Sequence, residues 1–570
     1  MPIRKLRQLT LIAAFAVVGP PLVADPSSGA YLAARSAAVT GDYEAAARYY
    51  TQALASDPAN PEILENASFS LMALGDIERA SIVGAKLLAD GHGSQVAQMA
   101  VIAQQAKEDN YADVLARILE EKGVGPLVDG LLRSWAQVGI GEVTAALENF
   151  DTVGTERGLQ GFALYHKALA LALVGDFEGA DTIFSMPEAG ALRQTRRGAI
   201  AHIEVLSQLG RKDDALKTLN QSFGTDLDPK LQAMRAALGA DEVLAFSQVN
   251  DAREGMAEVF FTVASALRNE ASEDYTLLYS RVAEYLDPAH VDAILLSAGL
   301  LEQLEQYELA TETYKKVARD SPAFHAVELG RAEALRRSGK PDAAIEALES
   351  LAQTHGDLPL VHSSLGDAYR QMERFADAVK AYDRSLAAFE GEVSGQWFIY
   401  YARGISHERL DLWDKAEADF RKALELNPEQ PQVMNYLGYS LVEKQIKLDE
   451  ALDLIERAVA ARPDSGYIVD SLGWVLFRLG RYNDAVGHME RATELMPIDP
   501  IVNDHLGDVY WSVGRFLEAE FQWKRALSFV DFGDASQEAD PERIRRKLDV
   551  GLDKVLEEEG APPLKLADEG

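Results

Sequence analysis

The pair Leu472-Gly473 recurs as Leu506-Gly507, 34 residues later, and the residues after each pair recur with it. Gly480 and Gly514, Tyr482 and Phe516, Ala485 and Ala519, and Ala492 and Ala526 keep the same offsets. Leu437-Gly438 lies 35 residues before Gly473, Gly404 lies 34 before that, and Leu365-Gly366 lies 38 earlier, with extra residues around Gly391 to Gly395. Ala332 and Ala298 continue the frame at 34 each. This period constrains the fold more than any other feature. It marks a supersecondary unit that cannot bury its apolar face alone and must stack on a neighbour. A chain of 570 residues is also too long for one compact core.

The residue types predict a helix–turn–helix unit. A small residue at Gly473 lets the second helix of the repeat approach closely, with small Ala485 expected opposite it. Gly480 is expected to end the first helix in a conformation that other residues adopt at a cost. Tyr482 or Phe516 covers the turn, and Pro463 and Pro497 stop the second helix. Ala, Leu and Glu dominate the composition, which favours helix.

Six successive frames, with the full match Leu506, Gly507, Tyr510, Ala519, Trp523 and Ala526, resemble the tetratricopeptide repeat family. The resemblance implies an all-α fold, an α-solenoid wound as a right-handed superhelix, and says little of function. The N-terminal half carries weaker matches. They are Gly41-Asp42-Tyr43 with Ala46, Tyr50, Ala53 and Pro58, then Gly75-Asp76-Ile77, Gly175-Asp176-Phe177 and Gly210 with Ala215. Residues 25–221 read as a degenerate first array, 222–255 as a joint, and 256–530 as a second array. Residues 531–559 read as a capping region, with 541–558 one amphipathic helix carrying Ile544, Leu548, Leu552 and Val555 on a stripe. Residues 560–570 read as a flexible tail. The period leaves room for about twelve to fourteen recognisable repeats.

The start of the chain speaks to location. Arg4, Lys5 and Arg7 precede an apolar stretch over residues 9–18, too short to span a bilayer, followed by Gly19, Pro20 and Pro21. Residues 1–24 read as a secretory signal cut after Ala24, although Leu22 stands where a small residue is preferred. The expected location is periplasmic. With 56 basic against 90 acidic side chains the chain carries −34, which argues against nucleic acid and anionic membrane surfaces as partners. There is no cysteine, so a thiolate zinc site, a disulfide framework, a thiol nucleophile and a lipid-bearing cysteine are excluded.

Catalytic constellations are not found. None of the ten histidines stands in a His-Glu-x-x-His pattern. His407-Glu408 is followed by Arg409 and Leu410, and His355 and His362 stand seven apart across Pro359. Gly123, Gly125 and Gly130 do not form a dinucleotide loop, and no phosphate-cradling lysine loop or Gly-x-Ser-x-Gly elbow occurs. The expectation is a non-catalytic protein without metal or cofactor.

The family resemblance implies a binding face, because first helices of the repeats line the concave side. Carried onto this sequence, the lining residues are Tyr401, Asn435, Tyr439, Tyr467, Asp470, Trp474, Phe477, Asp504, Asp508 and Trp511. Aromatic anchors bury much area for few rotors, and Trp474, Phe477 and Trp511 are the expected exposed ones. The family's clamp for a peptide carboxylate pairs an Asn with basic residues. Asn435 is present, but Asp470 and Asp504 stand at the basic positions, so a basic or neutral segment fits better. The runs Asn435-Tyr-Leu-Gly-Tyr439, Asp470-Ser-Leu-Gly-Trp474 and Asn503-Asp-His-Leu-Gly-Asp508-Val-Tyr-Trp511, with Ala252-Arg-Glu-Gly-Met-Ala-Glu258 upstream, resemble more narrowly a proteobacterial envelope family. Some of its relatives are outer-membrane lipoproteins that bring substrates to a carboxyl-terminal processing protease. The resemblance implies an envelope adaptor with that protease and its substrates as partners. The alternative is a scaffold for assembly of an envelope polymer-export or secretion complex.

Overall fold

A computed structural model describes residues 26–189, 194–224, 227–530, 539–561 and 564. The expected signal over 1–24 and most of the expected tail over 560–570 lie outside the described residues. Among those described there are thirty-one α-helices and no strand. The protein is an all-α solenoid of helical hairpins, as the repeat implies.

Local chemistry starts many of the helices. The Asp42 side chain accepts from the Ala45 N–H, and Asn60 accepts from the Glu62 and Ile63 N–H groups ahead of Pro61. Asp499 does the same for the N–H groups of Ile501 and Val502, ahead of Pro500. Each carboxylate or amide satisfies donors that the first turn leaves without partners, and the proline has no N–H to lose.

Small residues at the Gly473 position close the hairpins. A Cβ at Gly366 would overlap the Tyr382 ring, at Gly404 the Phe420 ring, at Gly473 the Met489 sulfur, and at Gly507 the Trp523 ring. The side chain nearest Gly473 is therefore Met489, one turn beyond the Ala485 that the spacing suggests. A small first-helix residue receives a large side chain one turn further along the second helix. Gly473→Leu is expected to lower the stability of its hairpin by about 1–3 kcal/mol through overpacking. An unchanged melting curve would contradict this packing.

The corners between paired helices use left-handed backbone. Gly480 has φ 74° and Gly514 φ 80°, as the sequence predicts. The same corner is built elsewhere from Glu305 (φ 59°), Glu373 (φ 59°) and Asp411 (φ 58°). A side chain in that region carries a steric cost that glycine avoids. Glu373→Gly is therefore expected to raise stability by about 1 kcal/mol, read as a higher denaturation midpoint. A lower midpoint would show that glycine's greater freedom in the unfolded chain prevails.

The chain forms two compact units, divided between Ala344 and Ile345. In the first, the helices Ala252–Leu267 and Glu273–Leu286 form an inner pair. They pack against Pro61–Leu74, Gln95–Lys107, Pro126–Gly139 and Gln160–Leu173, the first helices of successive hairpins. The chain itself thus lays two helices against the first helices of the first array, beside a cavity of about 530 Å³ lined by Gly75, Lys107, Arg281, Glu284 and Tyr285 among others.

Polar groups fix this pair in register. Glu258, fully buried, accepts from the Tyr165 hydroxyl at 2.7 Å and from Arg197 at 2.8 Å, and lies 3.0 Å from His290 Nε2. Arg281 donates to the Ala73 carbonyl at 3.0 Å, capping the end of Pro61–Leu74. Lys107 donates to the Tyr285 carbonyl and Tyr285 to Gln104, each at 2.7 Å. The Trp135 ring lies where a Cβ at Gly255 would fall.

Candidate functional site

The second unit sets Trp397–Arg409, Pro431–Glu443, Gly466–Arg478 and Pro500–Ser512 as first helices of successive hairpins. Along them runs a ladder of equivalent positions. Asn435, Asp470 and Asp504 form one rail, and Tyr439, Trp474 and Asp508 the other. Between the rungs opens a groove of about 590 Å³, lined by Asn435, Tyr439, Tyr467 and Asp470 among others. Four of the ten expected residues thus share one groove.

Tyr467 is the most open ring, at 47 % exposure. Asn435 is 9 % exposed, and its Oδ1 has no hydrogen-bond partner. A buried acceptor without a donor is costly and uncommon, so it is the least satisfied point of the groove. The carboxylates of Glu408, Asp411, Glu443, Asp470 and Asp499 line the groove, against Arg409, Lys444 and His505.

Trp474 lies at the groove's edge with both ring faces occupied. It stacks on His505 at 3.9 Å and on Phe477 at 4.9 Å, and its Nε1 donates to Glu443 at 3.3 Å. His505 Nδ1 lies 3.1 Å from Asp470. Burial alone would lower the His505 pKa, but the Asp470 carboxylate more than offsets it and the pKa is raised. The stack places a ring that favours its charged form on the Trp474 face, a cation–π arrangement. Phe477, expected as an exposed anchor, is buried at 8 % exposure. Tyr401 packs among Trp397, Phe420 and Tyr436, and burial pushes its phenol up to about 12.

The last rung is closed by the chain itself. The expected single helix over 541–558 is two, Pro541–Val550 and Leu552–Glu558. They break at Gly551 (φ 84°), where a Cβ would overlap the Trp511 ring. Lys547, 1 % exposed, lies 2.9 Å from both Asp504 oxygens and 2.6 and 2.8 Å from those of Asp508. Trp511 donates to Asp553 at 2.8 Å. Asp504, Asp508 and Trp511 therefore seat these closing helices and are not part of the open groove.

Sequence reasoning missed His505 and Lys547. His505 sits beside Asp504 at an offset the family pattern passes over. Lys547 falls on the apolar stripe between Ile544 and Leu548, and a lone cation on such a stripe was the available signal.

The family profiles described as tetratricopeptide repeat match residues 295–359, 329–393 and 401–466, and residues 40–104. Over those residues the chain is similar to tetratricopeptide repeats. The repeat match at 401–466 takes in Tyr401, Asn435 and Tyr439 of the groove. A TPR repeat-containing protein of Pseudomonas aeruginosa is 25 % identical over 197 residues, 34 % of this chain and 32 % of that protein. A lipoprotein NlpI homologue of Haemophilus influenzae is 36 % identical over 88 residues, 15 % of this chain and 27 % of that protein. The chain spans between 16 and 46 % of the length of the curated relatives it matches. The solved Cut9–Hcn1 assembly of the APC/C covers 93 % of this chain and 97 % of its own at 14 % identity, with a TM-score of 0.38. Among the described residues no cluster suited to a metal ion occurs, and no helix is long and apolar enough to cross a membrane.

Proposed function

We propose that this tetratricopeptide protein is a non-catalytic adaptor of the bacterial envelope that holds a partner protein in the groove of its second unit. The observation that carries the reading is Asn435. Asn435 lines a groove large enough for a peptide segment, and its buried Oδ1 lacks a donor. Rotation of the amide toward the groove lets an N–H of a docked segment supply that donor. The signal-like pattern read in the sequence over 1–24 and the similarity to a Haemophilus lipoprotein support an envelope setting. Within it, the adaptor reading has the chain bring substrates to a carboxyl-terminal processing protease.

The test is a crosslinked pull-down from the envelope fraction, wild type beside Asn435→Leu/Tyr467→Ala, with mass spectrometry of the retained proteins. A processing protease or its substrates, retained by the wild type and lost by the variant, is the expected result. An export or polymer-assembly component in its place would redirect the reading to the scaffold alternative. Asn435→Leu by itself is expected to leave stability unchanged or raise it by about 1 kcal/mol, because an unpaired buried acceptor is removed. A clear fall in the melting temperature would show that the Asn435 amide already has a structural partner.

A further inference from the structure

We propose that the open groove of the second unit takes a lysine- or arginine-bearing segment of a partner protein, its cationic side chain held among Asn435, Glu443 and Asp470. This rests on the groove being a docking site and adds the chemistry of what docks.

The molecule contains its own example. At the last rung the ladder holds a cation on a helix: Lys547 between Asp504 and Asp508, with Arg543, one turn earlier, 3.8 Å from Asp508. One rung back, Asp470 stands where Asp504 stands, and one further back Asn435 does. Each position of the rail offers at least one acceptor oxygen. The last rung is filled by Lys547 and the middle one is shared with His505. At the first, Asn435 is nine-tenths buried and its Oδ1 has no donor.

Charge points the same way. Five lining carboxylates outnumber Arg409, Lys444 and His505. Of these cations, Lys444 lies over the Trp413 ring at 5.0 Å and His505 is paired with Asp470. An acidic or phosphorylated segment would meet more like than opposite charge there. Lysine and arginine carry donors only, which suits a surface rich in carboxylates. Tyr467 offers the exposed aromatic face that such side chains also favour.

The experiment is fluorescence anisotropy with the full chain and a labelled synthetic peptide of residues 541–558, the segment that already shows this chemistry. A second peptide carries Arg543→Gln, Arg546→Gln and Lys547→Gln. Both are titrated into the wild type and into Asn435→Leu/Glu443→Gln, whose altered side chains lie away from the closing helices. The expected result is binding of the native-sequence peptide, at least about tenfold weaker for the Gln peptide, and a similar loss in the variant. Added salt should weaken it further. Equal binding of both peptides would overturn the cationic preference while leaving the groove a docking site. Native-peptide binding unchanged in the variant would show exchange at the last rung and overturn the site. No binding of either peptide at millimolar concentration would overturn the inference, with the envelope pull-down still deciding the docking reading.

Discussion

Glu258→Ala is expected to cost the first unit about 3–5 kcal/mol, the loss typical of removing one partner from a buried ion pair. Glu258 is the hub of the inner pair. Arg197, Tyr165 and His290 all converge on its two oxygens. Burial would raise its pKa, but Arg197, with His290 and Tyr165, holds it down to about 2. Alanine leaves the Arg197 guanidinium, whose side chain is 13 % exposed, with only Asp292 at 3.4 Å and the Gln248 carbonyl at 3.0 Å. Hydrogen exchange should show Ala252–Leu267 and Glu273–Leu286 opening first. Protection like the wild type's would mean that apolar contacts alone hold the pair.

The same region sets the response to acid. Burial pushes His166 down to about 4, with Trp135 Nε1 donating to its Nδ1 at 3.2 Å. Both Glu258 and His166 titrate lower in the fold than in the unfolded chain, so the unfolded chain binds more protons. Stability contributed by His166 is complete above about pH 6.5 and is lost as pH falls toward 4. The contribution of Glu258 follows between about pH 4.5 and 2. In Glu258→Ala the second loss disappears.

Lys547→Met is expected to cost the second unit about 3–5 kcal/mol at neutral pH and to loosen Pro541–Val550 and Leu552–Glu558. The methionine fills the space but leaves Asp504 and Asp508 facing each other, at 3 and 1 % exposure. Burial has already raised the Asp504 pKa in the wild type, Lys547 opposing and the Asp508 charge adding to it. Without Lys547 it rises further. A carboxyl raised in the fold binds its proton more readily there than in the unfolded chain. Stability is therefore regained as pH falls toward the ordinary carboxylate range of about 4. The deficit should be largest at pH 7.5 and shrink by pH 5 in thermal melts. A deficit independent of pH would show that the aspartates separate into solvent instead.

The hairpins were legible because their closing contact needs a small residue at a fixed place, as at Gly473 and Gly507. The first array is faint for a physical reason. Corners such as Asp109 (φ 58°) and Asp241 (φ 62°) have left-handed backbone without glycine, so the marker of the turn is missing. The inner pair has no local signature at all. Tyr165, Arg197 and Glu258 are brought together from segments about sixty to ninety residues apart, and nothing periodic relates them. In the second unit, Asn435, Tyr439, Tyr467 and Asp470 do share a groove, because one face of successive first helices is fixed by the period. Phe477, Asp504, Asp508 and Trp511 fall away from it. Burial of an aromatic at the next turn and the seat of a terminal helix depend on contacts that the repeat does not encode.

The central claim is that the second unit's groove holds a partner protein. It is tested most directly by placing a photo-crosslinking amino acid at Tyr467, with Ile82, 66 % exposed on the first unit, as the control position. The account predicts a discrete protein adduct from position 467, none of it from position 82, and its loss when Asn435→Leu is added. The same adducts from both positions, or an adduct from 467 indifferent to Asn435→Leu, would contradict it.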